Sequence, residues 1–334
     1  MHREETEAQT IARIEQEAKA GNAQSQFNMG RIYYTGYGVA QDDAKARDWF
    51  CTAAKQDHPI AKSQCASMLY YGQGGPEDKT LAMRYLKDAA EKGDPYGEAL
   101  YGLFTYQEGL RAGIMAADAQ TIAYLVDAAD HGETVAQATL GSIIFVRGSA
   151  QDLPRAVKYL RMCDAKGIAV CTGTLGSLVF YGAGGLDKDE AAGVAMLRSA
   201  ADAGHNASCG VLANIYNDDN GPYPDTGLAL HYAQLGSAGD NPDAASEFLL
   251  GLYTYLGVGI EKNVDEGRRI IRLAAEDGDP QGQYYIGVMY YNGEGVEKDL
   301  VEAARWWKLA AAQGVPIAIE KLQLPEMIEA ASHL

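Results

Sequence analysis

Small and apolar residues recur at helical spacing along the whole chain, punctuated every 35 to 39 residues by a glycine. The punctuating residues are Gly21, Gly93, Gly132, Gly167, Gly204, Gly239, Gly278 and Gly314, with Asp57 in the glycine place after the first unit. Each interval is interrupted once more, most clearly by Gly36-Tyr37-Gly38 and Gly293-Glu294-Gly295. Glycine at such places supplies positive φ at no steric cost. An Asp then opens the second apolar run, as in Asp42-x-x-x-Ala46-x-x-Trp49 and Asp299-x-x-x-Ala303-x-x-Trp306. A carboxylate before an apolar-periodic run is an N-cap, because it accepts from the orphan backbone N–H groups of the first turn. Each interval therefore predicts two helices joined by a tight turn.

One frame covers the chain. Its first and last full copies are offset by 257 residues (278 − 21), and Gly21, Phe27 and Met29-Gly30 correspond to Gly278, Tyr284 and Ile286-Gly287. Asp78, Asp152, Asp189, Asp225 and Asn263 open the second halves of intermediate copies. Eight units result, which displaces the two-domain prior that length alone suggests. The expected organisation is an N-terminal capping helix in 1–20, a solenoid in 21–314 and a C-terminal capping half-repeat in 315–334. Three units depart from the frame. Unit three has a long loop from Gly109 to Asp118, Arg147-Gly148 lacks the Gly-x-Gly, and Asn217-Asp218-Asp219-Asn220-Gly221 replaces it in unit six. Unit seven carries extra turn residues at Asp240-Asn241-Pro242.

On these residues the chain resembles the Sel1-like repeat family, relatives of tetratricopeptide repeats with slightly longer units. The strongest copies are Gly36-Tyr37-Gly38-Val39 with Asp42, Ala46, Trp49 and Ala53-Ala54, and Gly293-Glu294-Gly295-Val296 with Asp299, Ala303, Trp306 and Ala310-Ala311. The resemblance implies an all-α, right-handed α/α superhelical solenoid. It further implies a scaffold, adaptor or regulatory binding role, often in bacteria, without naming one partner.

Charge narrows the partner. The chain holds 28 basic and 45 acidic residues, net −17, which disfavours phosphate-rich nucleic acid and anionic lipid. Residues Gly167 to Leu186 run uncharged for a bilayer-spanning length, but six of them are glycine and a turn closes the segment, so a buried helix plus turn is expected rather than membrane insertion. The Met1-His2-Arg3-Glu4-Glu5 start lacks an apolar stretch, so a cytoplasmic location is expected if Met1 is the native start. The alternative is a periplasmic or secreted protein whose signal peptide has been removed.

No catalytic or cofactor constellation emerges, and the chain reads as a non-enzyme without cofactor. The Gly-x-Gly pairs lie between helices and lack the strand and third glycine of a dinucleotide site. In the Asn217–Asp225 stretch, setting Gly221 at loop position six puts Tyr216 and Gly227 where calcium ligation needs carboxylates. His58, His131 and His205 fall in alternate units, too far apart to share a metal. Of the five cysteines, Cys163 and Cys171 flank Gly167 symmetrically, and disulfide-rich members of the resembled family place bridged pairs at similar positions. A bridge and reduced small-residue packing both fit. An odd count leaves at least one thiol outside any internal pairing.

The informative signal is on the first helices. At 100° per residue, the third, seventh, tenth and fourteenth positions after each opening glycine form a stripe outside the repeated packing positions. It contains Arg31, Tyr71, Tyr96, Leu103 and Tyr181, then Leu249, Leu252, Leu256, Tyr285 and Val288. Arg31 is its one charge, apart from Asp218 in the acidic turn of unit six. In tetratricopeptide-like superhelices the first helices line the concave surface. The resemblance thus implies a concave, nearly neutral face for a partner peptide or domain, with tyrosines as polar contacts and an acidic rim aiding encounter. The competing reading is that curvature buries the stripe as core. A dedicated inhibitor or immunity protein and an exported envelope regulator are the alternative functions, and a monomer is expected.

Overall fold

The computed structural model describes residues 6–111, 118–147, 151–239 and 242–334. Among these, all regular structure is helical, in nineteen helices. Helix α1 (Glu7–Lys19) leads. Four helix pairs follow: α2 (Ala23–Thr35) with α3 (Asp43–Ala54), α4 (Pro59–Tyr70) with α5 (Lys79–Glu91), α6 (Pro95–Arg111) with α7 (Ala119–Asp130), and α8 (Thr134–Arg147) with α9 (Leu153–Asp164). The next four are α10 (Ala169–Tyr181) with α11 (Glu190–Asp202), α12 (Asn206–Asn217) with α13 (Thr226–Gly236), α14 (Ala244–Leu256) with α15 (Val264–Glu276), and α16 (Pro280–Asn292) with α17 (Leu300–Ala312). The short α18 (Pro316–Lys321) and α19 (Pro325–Ala331) both lie against α17.

The turn chemistry follows the sequence frame. Gly36 ends α2 at φ 71° and Gly38 follows at φ 66°, both in the left-handed region. The second helices start on side-chain caps: Asp42 Oδ1 accepts from the Lys45 backbone at 2.9 Å, and Asp299 Oδ1 accepts from Val301 and Glu302 at 2.9 and 3.0 Å. Asp118, which the sequence placed in a long loop, caps α7 through Thr121 at 2.8 Å. Most of that loop (112–117), Gly148, Asp240, Asn241 and the first five residues lie outside the described residues. In unit six Asp218 leaves α12 in an extended conformation, so the glycine turn is replaced there.

Helix pairs approach closely because the eighth residue of most first helices is glycine. A Cβ at Gly30 would sit 2.5 Å from Phe50 Cδ1, and one at Gly287 would overlap the Trp307 indole. Phe50 and Trp307 are both fully buried. The glycine thus acts as a socket for the bulky residue of the partner helix. Interiors pack at crystal-like density, so one methyl is felt at such a contact.

The helices group into two compact units, Met1–Cys163 and Asp164–Leu334, a division that the repeat frame does not mark. In the first, Phe27, Phe50, Met68, Leu86 and Phe104 make one cluster, and Leu125, Leu140 and Tyr159 another. In the second, Leu197, Leu212, Tyr232 and Leu249 form one cluster, and Trp307 with Met327 seals α17 against α19. The uncharged Gly167–Leu186 segment is helix α10 plus its glycine turn, and no described helix is long and apolar enough to cross a membrane.

Candidate partner-binding site

First helices of successive repeats touch within each unit. In the first unit α4 lies against α6 and α6 against α8; in the second α10 lies against α12, α12 against α14 and α14 against α16. Their stripe positions are mostly open. Tyr71, Tyr181 and Leu256 are 58%, 61% and 51% exposed, and Arg31 is also exposed. Tyr96, Leu103, Leu252, Tyr285 and Val288 are half-buried, each presenting part of its surface. Leu249 differs: at 1% exposure it belongs to the second unit's core and has no surface to offer a partner. Its place, the seventh, rotates inward where α14 presses on its neighbours, as it does for Leu100 in α6.

Aromatic neighbours hold the exposed tyrosines. Tyr71 stands edge-on to Phe104 at 5.4 Å, Tyr181 edge-on to Phe180 at 4.9 Å, and Tyr285 leans on Phe248 at 5.4 Å. Such pairs favour tilted and edge geometries. Burial raises the phenol pKa of Tyr96 above the ordinary value, and partial desolvation with the nearby Asp218 does so for Tyr181, so both keep their proton at neutral pH and can donate.

Charge is placed elsewhere. Ion pairs such as Arg269–Glu266 at 2.6 Å and Arg305–Glu302 at 2.9 Å sit on the exposed sides of second helices. Pairs of that kind contribute little individually, about 0–1 kcal/mol. Arg31 makes no ion pair among the described residues.

A second repeated position, the fifth after each opener, was not singled out in the sequence. Where it is glutamine, its buried side chain meets a last-turn carbonyl of the preceding helix, one of those without an intrahelical i+4 donor. Gln26 Nε2 donates to Ala18 O at 3.1 Å, Gln137 Nε2 to Ala129 O at 3.0 Å, and Gln283 Nε2 to Ala275 O at 3.4 Å. In unit two the place holds buried Lys62, which donates to Asp57 at 2.5 Å and to Asp88. Burial alone would lower the Lys62 pKa, but those two carboxylates outweigh it and hold it above its ordinary value. The same contact explains Asp57, the one non-glycine with positive φ among the described residues: its side chain supplies an anion that glycine lacks.

Units three and seven place glutamate there. Glu98 is 4% exposed and Glu247 8%, and Oε2 of each has no hydrogen-bond partner among the described residues. An ionised carboxylate only accepts, so it cannot serve a carbonyl as glutamine does. Burial, with Asp127 and Asp94 adding to it and His131 opposing, pushes the Glu98 pKa up to about 7. Burial and the nearby Asp277 and Asp243 raise Glu247 against the opposing Arg269. A count of buried polar residues at one register position would have revealed this series.

The cysteines require a correction. Cys51 of α3 and Cys65 of α4 form a disulfide across 14 residues, with Cα atoms 5.0 Å apart. The sequence reading confined the motif to the symmetric Cys163/Cys171 spacing. Antiparallel helices also bring together residues placed unequally about their turn, here Asp57. Cys163 and Cys171 are themselves disulfide-bonded cysteines. Cys209 is the free, buried thiol, pushed up to about 11 by burial and then by Asp243 and Asp202.

Consecutive helix pairs, with outward first-helix side chains in each compact unit, define a helical repeat protein of the α-solenoid class. The Sel1 repeat profile matches residues 23–58, 59–94, 134–162, 175–205, 244–279 and 280–315, and the chain belongs to the Sel1 repeat family. The two helix pairs without a match, α6–α7 and α12–α13, are in units three and six, where the turn sequence departs from the frame. Among solved structures, a protective antigen present in uropathogenic Escherichia coli strains and displaying an SLR fold is 25% identical. That alignment covers 97% of this chain and 70% of the antigen, with a TM-score of 0.58. A Sel1 repeat protein from Oxalobacter formigenes is 28% identical over 65% of this chain and 87% of its own, with a TM-score of 0.49. An immunity protein from Pseudomonas aeruginosa is 17% identical over 64% of this chain and 80% of its own, with a TM-score of 0.39. The Sel1 repeat scaffold supports protein–protein interaction at this general level.

Proposed function

We propose that this chain is a non-enzymatic scaffold or adaptor that binds a partner peptide or domain along the outward row of its first helices. The observation that carries the reading is the row itself: exposed or half-buried at most positions, rich in Tyr, Leu and Val, and with Arg31 as its one charge outside the unit-six turn, in a chain of net −17. Tyrosine is enriched at binding hot spots, and an apolar row suits a docked helix or extended segment. The acidic rim around them favours encounter with a basic partner.

The test is affinity capture with mass spectrometry, followed by binding of the identified partner to Leu252→Asp and Tyr285→Asp. Both variants should lose the partner while keeping the wild-type circular dichroism spectrum. Leu309→Asp, on an exposed position of α17, should retain it. Binding that survives both row substitutions overturns the reading.

The disulfides support a location in an oxidising compartment, periplasmic or extracellular, over the cytoplasm. Acid-quenched native cells, denatured and treated with a maleimide polymer, should show label only at Cys209. Labelling of all five cysteines would place the protein in a reducing compartment.

A further inference from the structure

Between α1 and α2 lies a cavity of about 510 Å³. Ligand pockets span roughly 300–1,000 Å³, so this one takes side chains rather than a folded domain. Three isoleucines, Ile11 and Ile14 of α1 and Ile32 of α2, form its apolar wall. Asn28, Arg31 and Thr35 come from the outward row of α2, so the cavity opens onto the face proposed for the partner. Its lining contains Arg31 and no Asp, Glu or Lys. Arg31 has no ion pair among the described residues, so its guanidinium is not already held by an acid of this chain. The Asn28 carboxamide oxygen already accepts from Gln24 at 3.2 Å, which leaves its NH₂ group to donate into the cavity.

We propose that this cavity is a specificity pocket for one acidic side chain of the partner, set beside a branched aliphatic residue. Arg31 pairs with the carboxylate, Asn28 donates to it, and the isoleucine wall takes the aliphatic group. The inference rests on the outward row being the binding face. Charge complementarity selects the occupant. A chain of net −17 repels an acidic run, so the pocket admits a single carboxylate within an otherwise neutral or basic segment. A guanidinium fork recognises a carboxylate through paired donors, which an amide of the same shape cannot match.

The experiment uses the full chain and a displayed library of 12-residue peptides, selected in parallel on wild type and on Arg31→Gln. Peptides from the wild type should share an Asp or Glu within one helical turn of a Leu or Ile. Replacing that acid by its amide should weaken binding to wild type about tenfold and leave binding to Arg31→Gln unchanged. Arg31 is exposed, so Arg31→Gln should keep the wild-type melting temperature, which makes the comparison one of recognition. Wild-type selections without an acidic consensus, or equal binding of acid and amide peptides, overturn the pocket. Selected peptides lost on Leu252→Asp and Tyr285→Asp but indifferent to Arg31→Gln leave the outward row standing and remove the pocket alone. Peptides indifferent to all three variants, or no selected peptides at all, count against both.

Discussion

Gln56, one residue before the end of the first unit, donates its side-chain amide to buried Gln26 at 2.6 Å across 30 residues of chain. Gln313 does the same to Gln283 at 2.9 Å at the other end of the array. These amide pairs satisfy buried polar atoms without charge. Where the sequence substitutes acids, as with Glu98 beside Asp127, the same geometry becomes sensitive to protonation.

Glu98 has a folded pKa near 7, raised from 4.5. The folded state therefore binds the proton more tightly than the unfolded chain, so this site's contribution to stability is fully present below about 4.5 and is lost as pH rises through 7. Glu98→Gln should leave stability at pH 4.5 near wild type and raise it at pH 8 by about 1–2 kcal/mol. Urea unfolding at the two pH values checks this. An equal effect at both would show that the carboxyl is not the cause.

The Cys51–Cys65 bridge closes a loop of 14 residues between α3 and α4. A loop of that size constrains the unfolded chain by about 3 kcal/mol. Cys51→Ser with Cys65→Ser should lower the unfolding free energy by about 2–3 kcal/mol, and amides of α3 and α4 should lose hydrogen-exchange protection most.

Gly287 faces Trp307 with no room for a Cβ, while Trp307 Nε1 donates to Tyr284 O at 3.0 Å and is held in place. Alanine gains about 1 kcal/mol in helix propensity over glycine. Overpacking a closed contact costs about 1–3 kcal/mol or more. The steric effect should win, so Gly287→Ala lowers the melting temperature despite its better propensity. In a Trp307→Leu background, itself less stable, the further loss from Gly287→Ala should be smaller, because the methyl then has space.

Asp299 accepts from two backbone N–H groups at the start of α17. Asp299→Ala should cost about 1 kcal/mol, and Asp299→Asn should recover most of it, since either side chain caps. Leu256→Ser, on an open row position, should change stability by under about 0.5 kcal/mol while weakening the partner. Thermal melts separate the two classes of substitution.

The period of 35 to 39 residues, the helix pairs, the capping aspartates and the glycine turns were all legible in the sequence. They depend on local chemistry: which residues tolerate positive φ, which accept from a helix N-terminus, and which recur on one helical face. The row of Tyr71, Tyr181 and Leu256 was legible for the same reason. Its openness was not, because exposure depends on how closely neighbouring helices press, which turned Leu249 inward and left Leu256 out. The Cys51–Cys65 bond, the amide and carboxyl pairs at the fifth position, and the Arg31 cavity against α1 all join residues on different helices. Repeat spacing says that such helices are neighbours. Only their packed register decides which side chains meet, and burial then decides whether a charge there is held or given up.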